Sequence, residues 1–190
     1  DEEIDGSTSL TEEELEQLIP SYITLRHELN EAEQVNILDA EEWAFRRKRD
    51  VLFARFLDNL HKQMFGRVWR WAGAHRQSNK NVGINAYRIP TELGHLLDDC
   101  RYWIDNNTYK QDEIAARFHH RLVWIHSYPN GNGRHARLAT DLLLVALGST
   151  PFSWGRINLV DASKTRSEYI AALRAADKHD IKPLLEFVRN

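Results

Sequence analysis

The chain has 190 residues, 42% of them hydrophobic, which suits one globular domain with a core of its own. Its formal charge of -3 is spread along the chain without a long block of one sign, which argues against a general nucleic-acid-binding or membrane-binding surface. No apolar run approaches the ~18 residues of a membrane span, and the N-terminus is acidic. The single cysteine, Cys100, excludes an internal disulfide. We therefore expect a cytoplasmic protein in a reducing compartment.

The N-terminal part of the chain predicts two helices. Thr11 and Glu14 have the spacing of a capping box, which predicts a short helix to about Ile19, before Pro20. Residues 24 to about 56 carry apolar residues at helical spacing, with charged residues opposite them. We expect residues 1–50 to form an N-terminal segment and residues 51–190 to form one compact core.

The next part of the chain predicts a helix, an ordered loop and an extended segment. Residues 51–65 have apolar side chains at i, i+3 and i+4, and Gly66 follows as a helix end. A loop from 67 to 84 contains Trp69, Trp71, Gly73 and Arg76. Residues 82–89, between Asn81 and Pro90, are the best candidate for extended structure.

The remaining segments are predicted to be helical, over residues 91–106, 111–125, 133–147, 163–177 and 181–188. Pro90 suits the first position of the earliest of these, and Cys100 lies on its apolar face, which predicts an inert buried thiol. The helix from 133 is apolar over most of its length, which predicts a buried central element.

A glycine-rich turn between two predicted helices carries the residues best suited to chemistry. Gly131 and Gly133 permit positive φ angles, so that successive N–H groups can form an anion-binding nest at a helix N-terminus. Arg134 and Arg137 follow three residues apart and add positive charge on one helical face. The pattern predicts a phosphate site with His126 as a candidate base.

Residues 126–137 resemble the Fic family signature His-x-Phe-x-(Asp/Glu)-Gly-Asn-Gly-Arg-x-x-Arg. Six positions match at the family's spacing: His126, Gly131, Asn132, Gly133, Arg134 and Arg137. Tyr128 replaces the usual Phe, and Asn130 replaces the usual acidic residue. The resemblance extends more loosely from Trp69 to the C-terminus, and includes a Trp-x-Trp-Ala-Gly-x-x-Arg stretch that ends at Arg76. Residues 9–37 resemble the head of the Fic subgroup called mobile mystery protein B.

The resemblance implies a mostly α fold, in which a helical bundle surrounds a central helix pair and carries a small β-hairpin flap. It also implies transfer of AMP from ATP to a Ser, Thr or Tyr hydroxyl of a target protein. The flap that pairs with the target would comprise Gly83, Ile84, Asn85, Ala86, Tyr87, Arg88 and Ile89.

The same resemblance implies roles for individual residues. His126 would accept the hydroxyl proton, and the turn from Asn130 through Gly131, Asn132 and Gly133 to Arg134 would hold phosphate oxygens. Arg134 and Arg137 would bind the β- and γ-phosphates, and Tyr169 would border the adenine. Mg²⁺ is the expected companion of ATP, with Asn130 as a weak ligand because a neutral amide replaces a carboxylate.

A second family motif, (Ser/Thr)-x-x-x-Glu-(Gly/Asn), resembles the stretch that contains Thr24, Glu28 and Asn30. It implies an inhibitory helix in which Glu28 pairs with Arg137 and displaces the γ-phosphate. The fit is imperfect because Leu29 stands where Gly or Asn is expected.

Three alternatives compete with protein adenylylation. The same site could phosphorylate a target or remove AMP from it, or the chain could be a nucleotide-binding or interaction module of weak catalytic power because of Asn130. A histidine metal site built on His119, His120, His126 and His135 is disfavoured, because His119 and His120 are adjacent and point to different helix faces.

Overall fold

The computed structural model describes residues 8–156 and 162–190, and this part of the chain is mostly helical. Its α-helices are α1 (Glu12–Leu15), α2 (Arg26–Phe45), α3 (Ala54–Phe65), α4 (Ile89–Asp105), α5 (Gln111–Ile125), α6 (Asn132–Ala146), α7 (Ala162–Asp177) and α8 (Lys182–Val188). The predicted helix over 111–125 is confirmed at both ends. Four other predicted helices begin and end within two residues of the observed bounds, namely those over 91–106, 133–147, 163–177 and 181–188. None of the described helices combines the length and apolar character that a bilayer crossing requires.

The predicted capping box is confirmed at the start of α1. Thr11 Oγ1 accepts from the Glu14 N–H at 3.2 Å, and Glu14 Oε1 accepts from the Thr11 N–H at 2.9 Å. The helix is shorter than predicted, because the chain after it pairs with the loop that follows α3. The Ile19 N–H donates to the Val68 carbonyl, and the Gln17 carbonyl accepts from the Arg70 N–H.

The predicted helix over 24–56 is wrong after Phe45, where α2 ends. Arg49 lies across that end, donating to the carbonyls of Trp43 and Ala44, with its guanidinium over the Trp43 ring. These contacts satisfy carbonyls that a continuing helix would have used. The chain then turns, and α3 begins at Ala54.

Helices α5 and α6 form the central pair of the bundle. Buried residues occupy most of the α6 surface: Asn132, His135, Ala136, Leu138, Ala139, Thr140, Asp141, Leu142, Leu143 and Leu144. Helices α2, α3 and α4 pack around one hydrophobic cluster with them, while α7 and α8 close a second cluster that contains Phe152 and Trp154. The first cluster includes Ile37, Ala40 and Ala44 of α2, so the N-terminal segment packs directly on the core.

Cys100 is fully buried on α4, as predicted. Burial raises the pKa of its thiol to about 12, so the side chain stays protonated and unreactive at neutral pH.

The predicted β-hairpin over residues 82–89 is not formed. Within the described residues, β-pairing is limited to a single bridge between Leu18 and Trp69. The Ala86 N–H instead donates to Asn79 Oδ1 at 2.9 Å, and Ala86–Arg88 forms a 3₁₀ turn that leads into α4. A side-chain acceptor near this backbone therefore stabilises a turn where the sequence pattern suggested a strand.

Candidate active site

His126 ends α5 in a left-handed conformation, with φ 56° and ψ 62°. A residue with a Cβ is uncommon in this region, where glycine is usual, so the conformation requires support from its surroundings. The turn directs the chain into the loop that precedes α6. The His126 side chain is 7% exposed.

Arg76 supplies that support from the loop before the predicted flap. Its guanidinium donates to the backbone carbonyls of His126, Ile125, Ile84 and Ser78. The backbone N–H of Arg76 donates to the Ser127 carbonyl. One buried cation therefore joins the end of α5 to the segment around Ile84. Sequence reasoning noted Arg76 only as the end of the Trp-x-Trp-Ala-Gly-x-x-Arg stretch and assigned it no role, because its partners are backbone carbonyls distant in sequence.

Gly83 brings the same segment against His126. Its φ is 89°, and a Cβ there would lie 2.6 Å from the His126 Cβ and 2.8 Å from Arg76 Nη2. Only glycine fits this approach. The segment that was predicted to be a target-binding flap thus lies beside His126, although as a turn, and Tyr87 at its tip is 80% exposed.

The turn before α6 has the geometry of an anion site. Gly131 has φ 78°, and a Cβ on it would lie 2.5 Å from the Phe65 ring. No side chain caps the N-terminus of α6, so the first N–H groups of the helix lack the usual side-chain acceptor. Asn130, Gly133, Arg134 and Arg137 are all partly exposed, so the turn reaches the surface.

Asn132 orients this loop from inside. Its Oδ1 accepts from the Tyr128 N–H at 2.9 Å and its Nδ2 donates to the Tyr128 carbonyl at 2.8 Å. These two contacts fix the orientation of the loop between Tyr128 and Asn132. Below it, His61 accepts from the Gly73 N–H at Nδ1, and Nε2 therefore donates to the Asn130 carbonyl at 3.0 Å. Sequence reasoning did not single out His61.

Tyr128 replaces the signature phenylalanine and is 1% exposed. Its ring stacks on His61 at 3.8 Å between centroids, and its hydroxyl donates to Asp58 Oδ1 at 2.8 Å. Asp58 also contacts His75 Nε2 at 2.9 Å. The extra hydroxyl is thus satisfied by a carboxylate on α3.

Arg134 and Arg137 differ in their surroundings. Arg134 Nη1 lies 3.2 Å from Glu33 Oε1 of α2, and its guanidinium lies over the Phe65 ring. Arg137 lies over the Tyr169 ring, with 5.6 Å from Cζ to the centroid. Among the described residues, no carboxylate lies within ion-pair distance of Arg137.

Tyr169 belongs to a buried polar group beside Arg137. Its hydroxyl lies 2.7 Å from His119 Nε2, and Thr140 Oγ1 lies 3.3 Å from His119 Nδ1. Burial, and then the charge of Arg137, lower the pKa of His119 to about 3. His120 contacts Asp177 at 2.7 Å, and His135 Nε2 contacts the Leu57 carbonyl at 2.9 Å. No group of three or more potential metal ligands occurs within the described ranges.

The surroundings of His126 favour the uncharged imidazole. Burial, followed by the charges of Arg76 and Lys80, lowers the pKa of its imidazole to about 4, so the ring is neutral at pH 7. Thr8 Oγ1 lies 2.9 Å from His126 Nε2, within hydrogen-bond distance.

Residues 52–144 match the model of the Fic/DOC family. The chain contains a Fic/DOC domain. That span runs from two residues before α3 to two residues before the end of α6 and includes His126, the glycine turn and both arginines.

Relatives of this Fic/DOC domain include proteins named protein adenylyltransferase Fic. The one from Drosophila grimshawi is 29% identical over 133 residues, 68% of this chain and 26% of the relative. The one from Aedes aegypti is 27% identical over 145 residues, 74% of this chain and 28% of the relative. The chain spans about a quarter of the length of the curated relatives it matches.

Solved structures show the same fold at low sequence identity. The N-terminal Fic domain of a putative cell filamentation protein from Bartonella quintana superposes with a TM-score of 0.71 at 18% identity, over 88% of this chain and 84% of that one. The BepC protein from Bartonella tribocorum, solved with bound AMPPNP, gives 0.70 at 17% identity, over 94% and 97%. The overall architecture is therefore a Fic fold.

The predicted pairing of Glu28 with Arg137 is not formed. Glu28 Oε1 accepts from the N–H groups of Leu25 and Thr24 at 2.9 and 3.2 Å and from Thr24 Oγ1 at 3.3 Å, which caps the start of α2. Those backbone hydrogen bonds lower the pKa of Glu28. Asn30 lies exposed two residues further along α2. The N–H groups of Leu25 and Thr24, three and four residues before Glu28, hold its carboxylate at the start of α2. The carboxylate that pairs with a signature arginine is instead that of Glu33, which lies beside Arg134.

Asn130 does not present itself as a metal ligand. Its Oδ1 accepts from the Gly131 N–H at 2.8 Å and lies 3.4 Å from Arg134 Nη2, and its Nδ2 donates to the Thr8 carbonyl at 3.1 Å. An oxygen that already faces N–H donors and a guanidinium is a poor partner for a hard cation. The residues of this turn, as arranged, do not fit Mg²⁺.

Proposed function

We propose that this chain is a protein adenylyltransferase that transfers AMP from ATP to a hydroxyl of a target protein. The observation that carries the proposal is a neutral imidazole, His126, beside an uncapped helix N-terminus that is followed by two arginines. The names of the relatives support the proposal, because they describe this activity in proteins that share the domain. We expect the protein to act on another protein, with ATP as the nucleotide.

The reaction needs one proton removed and one phosphoryl group held in place. His126 Nε2 accepts the proton of the attacking hydroxyl, and the hydroxyl oxygen forms a bond to the α-phosphorus of ATP. The bond between the α-phosphorus and the oxygen bridging to the β-phosphate breaks, and pyrophosphate leaves. The N–H groups of Gly133 and Arg134 and the two guanidinium groups stabilise the developing charge. We expect Tyr169, whose ring lies beneath Arg137, to border the adenine.

The protein's own N–H and guanidinium groups hold the phosphates in this reaction, because Asn130 as arranged does not fit Mg²⁺. This also favours a second candidate function, a nucleotide-binding module of low transfer rate. Calorimetry with ATP, combined with labelling by α-labelled ATP, separates the two, since such a module binds ATP but labels no protein.

We infer that α2 restrains the site through Glu33 in place of Glu28. Glu33 is 5% exposed, pairs with Arg134 and also accepts from Trp69 Nε1 at 3.0 Å. A triphosphate that engages Arg134 has to compete with this carboxylate. Helix α2 then limits nucleotide binding, because Glu33 neutralises Arg134, one of the two cations that the phosphates need.

The test is incubation with ATP labelled on the α-phosphate, with ATP labelled on the γ-phosphate as the comparison. Adenylylation transfers only the α-label, whereas phosphorylation transfers only the γ-label. His126→Ala should abolish transfer while it leaves ATP binding intact. Transfer of neither label to any protein, or equal transfer by His126→Ala, would count against the proposal.

A further inference from the structure

The N-terminal segment of this chain reaches the candidate base. Thr8 Oγ1 lies 2.9 Å from His126 Nε2, and the Thr8 carbonyl accepts from Asn130 Nδ2 at 3.1 Å. These contacts span 118 and 122 residues of sequence. A hydroxyl hydrogen-bonded to the base, beside the phosphate-binding turn, occupies the position that an acceptor needs.

The residues after Thr8 are fixed to the body of the domain. Lys80 Nζ donates to the Ser9 carbonyl at 3.1 Å and forms a buried ion pair with Glu14. Trp71 Nε1 donates to the Glu14 carbonyl at 3.2 Å. Together with the pairing of Gln17 and Ile19 to the loop after α3, these contacts set the position of Thr8 from one side.

We propose that Thr8 is an intramolecular acceptor, the site at which this protein modifies itself. The inference rests on the proposed function, because it uses the same base and the same nucleotide. Thr8 Oγ1 loses its proton to His126 and forms the bond to the α-phosphorus of ATP, and pyrophosphate leaves. The products are adenylyl-Thr8, pyrophosphate and one proton.

Two consequences follow from an acceptor held in the same chain. The rate of labelling per molecule is independent of protein concentration, because both reactants belong to one chain. Thr8 also excludes a target hydroxyl from His126, so removal of the Thr8 side chain favours labelling of other proteins.

The experiment uses the 190-residue chain, α-labelled ATP and tandem mass spectrometry to locate the adenylyl group. We expect at most one group per chain, on Thr8, at a first-order rate that stays the same over a hundredfold range of protein concentration. Thr8→Ala should reduce self-labelling to the level of His126→Ala, and Thr8→Ser should retain it because the hydroxyl is kept. Ser9→Ala is the matched control and should label as the parent does.

The possible results distinguish self-modification of Thr8 from adenylyltransferase activity in general. If the parent labels other proteins or releases pyrophosphate from ATP but leaves Thr8 unmodified, the intramolecular acceptor is wrong and the adenylyltransferase stands. Self-labelling of Thr8 at a rate proportional to protein concentration would likewise overturn the intramolecular step. If neither labelled protein nor pyrophosphate forms, both proposals fall.

Discussion

Glu33 and Arg134 form an ion pair of 3.2 Å between α2 and the first turn of α6, although 101 residues separate them. The Glu33 side chain is 7% exposed, and that of Arg134 is 34% exposed. The pair places a negative charge at the edge of a site whose proposed ligand is a polyanion.

Glu33→Gln should increase the affinity for ATP. The amide keeps an oxygen for Trp69 Nε1 but removes the charge that competes with the phosphates for Arg134. We expect the Kd for ATP to fall on the order of tenfold, equal to about 1.4 kcal/mol, as measured by calorimetry. Glu28→Gln is the matched control, since it weakens a helix cap and leaves Arg134 as it is. Equal ATP affinity in the parent and in Glu33→Gln would show that Glu33 does not restrain the site.

Gly131→Ala should destabilise the fold and weaken ATP binding. The new Cβ would contact the Phe65 ring at 2.5 Å in a backbone conformation that side chains rarely adopt. We expect a loss of about 2 kcal/mol in the free energy of unfolding in urea.

Gly94→Ala provides the matched control for that substitution. Gly94 lies exposed within α4, and a Cβ there meets no atom within 4 Å. We expect this variant to gain about 1 kcal/mol from helix propensity and to bind ATP as the parent does. Similar urea midpoints for the two variants would contradict the account of the turn.

Tyr128→Phe should cost stability but preserve transfer. The substitution restores the signature residue and removes the 2.8 Å hydrogen bond to Asp58, while the ring keeps its place on His61. We expect about 1 kcal/mol less stability in urea unfolding and an unchanged labelling rate. In a double-mutant cycle with Asp58→Asn, the two costs should be less than additive. A labelling rate that falls with the hydroxyl would instead give Tyr128 a part in the reaction.

The stability of the fold should decrease as the pH falls below about 6.5. Burial lowers the pKa values of four histidines: His61 well below its usual value, His119 to about 3, and His126 and His135 to about 4. Between pH 6.5 and 4 the unfolded chain therefore binds more protons than the folded one. The stability that these neutral histidines contribute is complete at pH values above the histidine pKa of the unfolded chain. It is lost as the pH falls toward the lower pKa values of the folded state.

One buried acid opposes this trend. Burial raises the pKa of Asp141 to about 6, so the folded state holds one extra proton between that value and the ordinary pKa of 3.8. These five groups together give a net difference of about three protons near pH 5, which is at most about 4 kcal/mol per pH unit. Urea unfolding at several pH values measures the slope, and His126→Gln should reduce it by about one proton. A free energy of unfolding that stays constant from pH 7 to pH 5 would contradict the burial of neutral imidazoles.

The amino-acid sequence alone determined the features whose causes are local. The Thr11 and Glu14 capping box, the bounds of α5 and the positive φ of Gly131 follow from residues within a few positions of one another, because hydrogen bonds and steric limits at that range act in any tertiary context. The helical class of the fold followed from apolar periodicity for the same reason. Competing local hydrogen bonds explain why two predictions were wrong, the Glu28 pairing and the hairpin. Thr24 and Leu25 donate to Glu28 at its own helix terminus, and Asn79 stabilises a turn by accepting from Ala86.

Only the tertiary structure decided which distant side chains meet at the turn. Glu33 reaches Arg134, Asp58 accepts the Tyr128 hydroxyl, Arg76 binds the His126 carbonyl, and Thr8 reaches the His126 ring. Each contact joins elements whose separation in space is set by the packing of α2, α3 and the N-terminal segment around α5 and α6. No local spacing encodes that packing, because the hydrophobic effect that drives it is non-directional and depends on the area the whole chain buries.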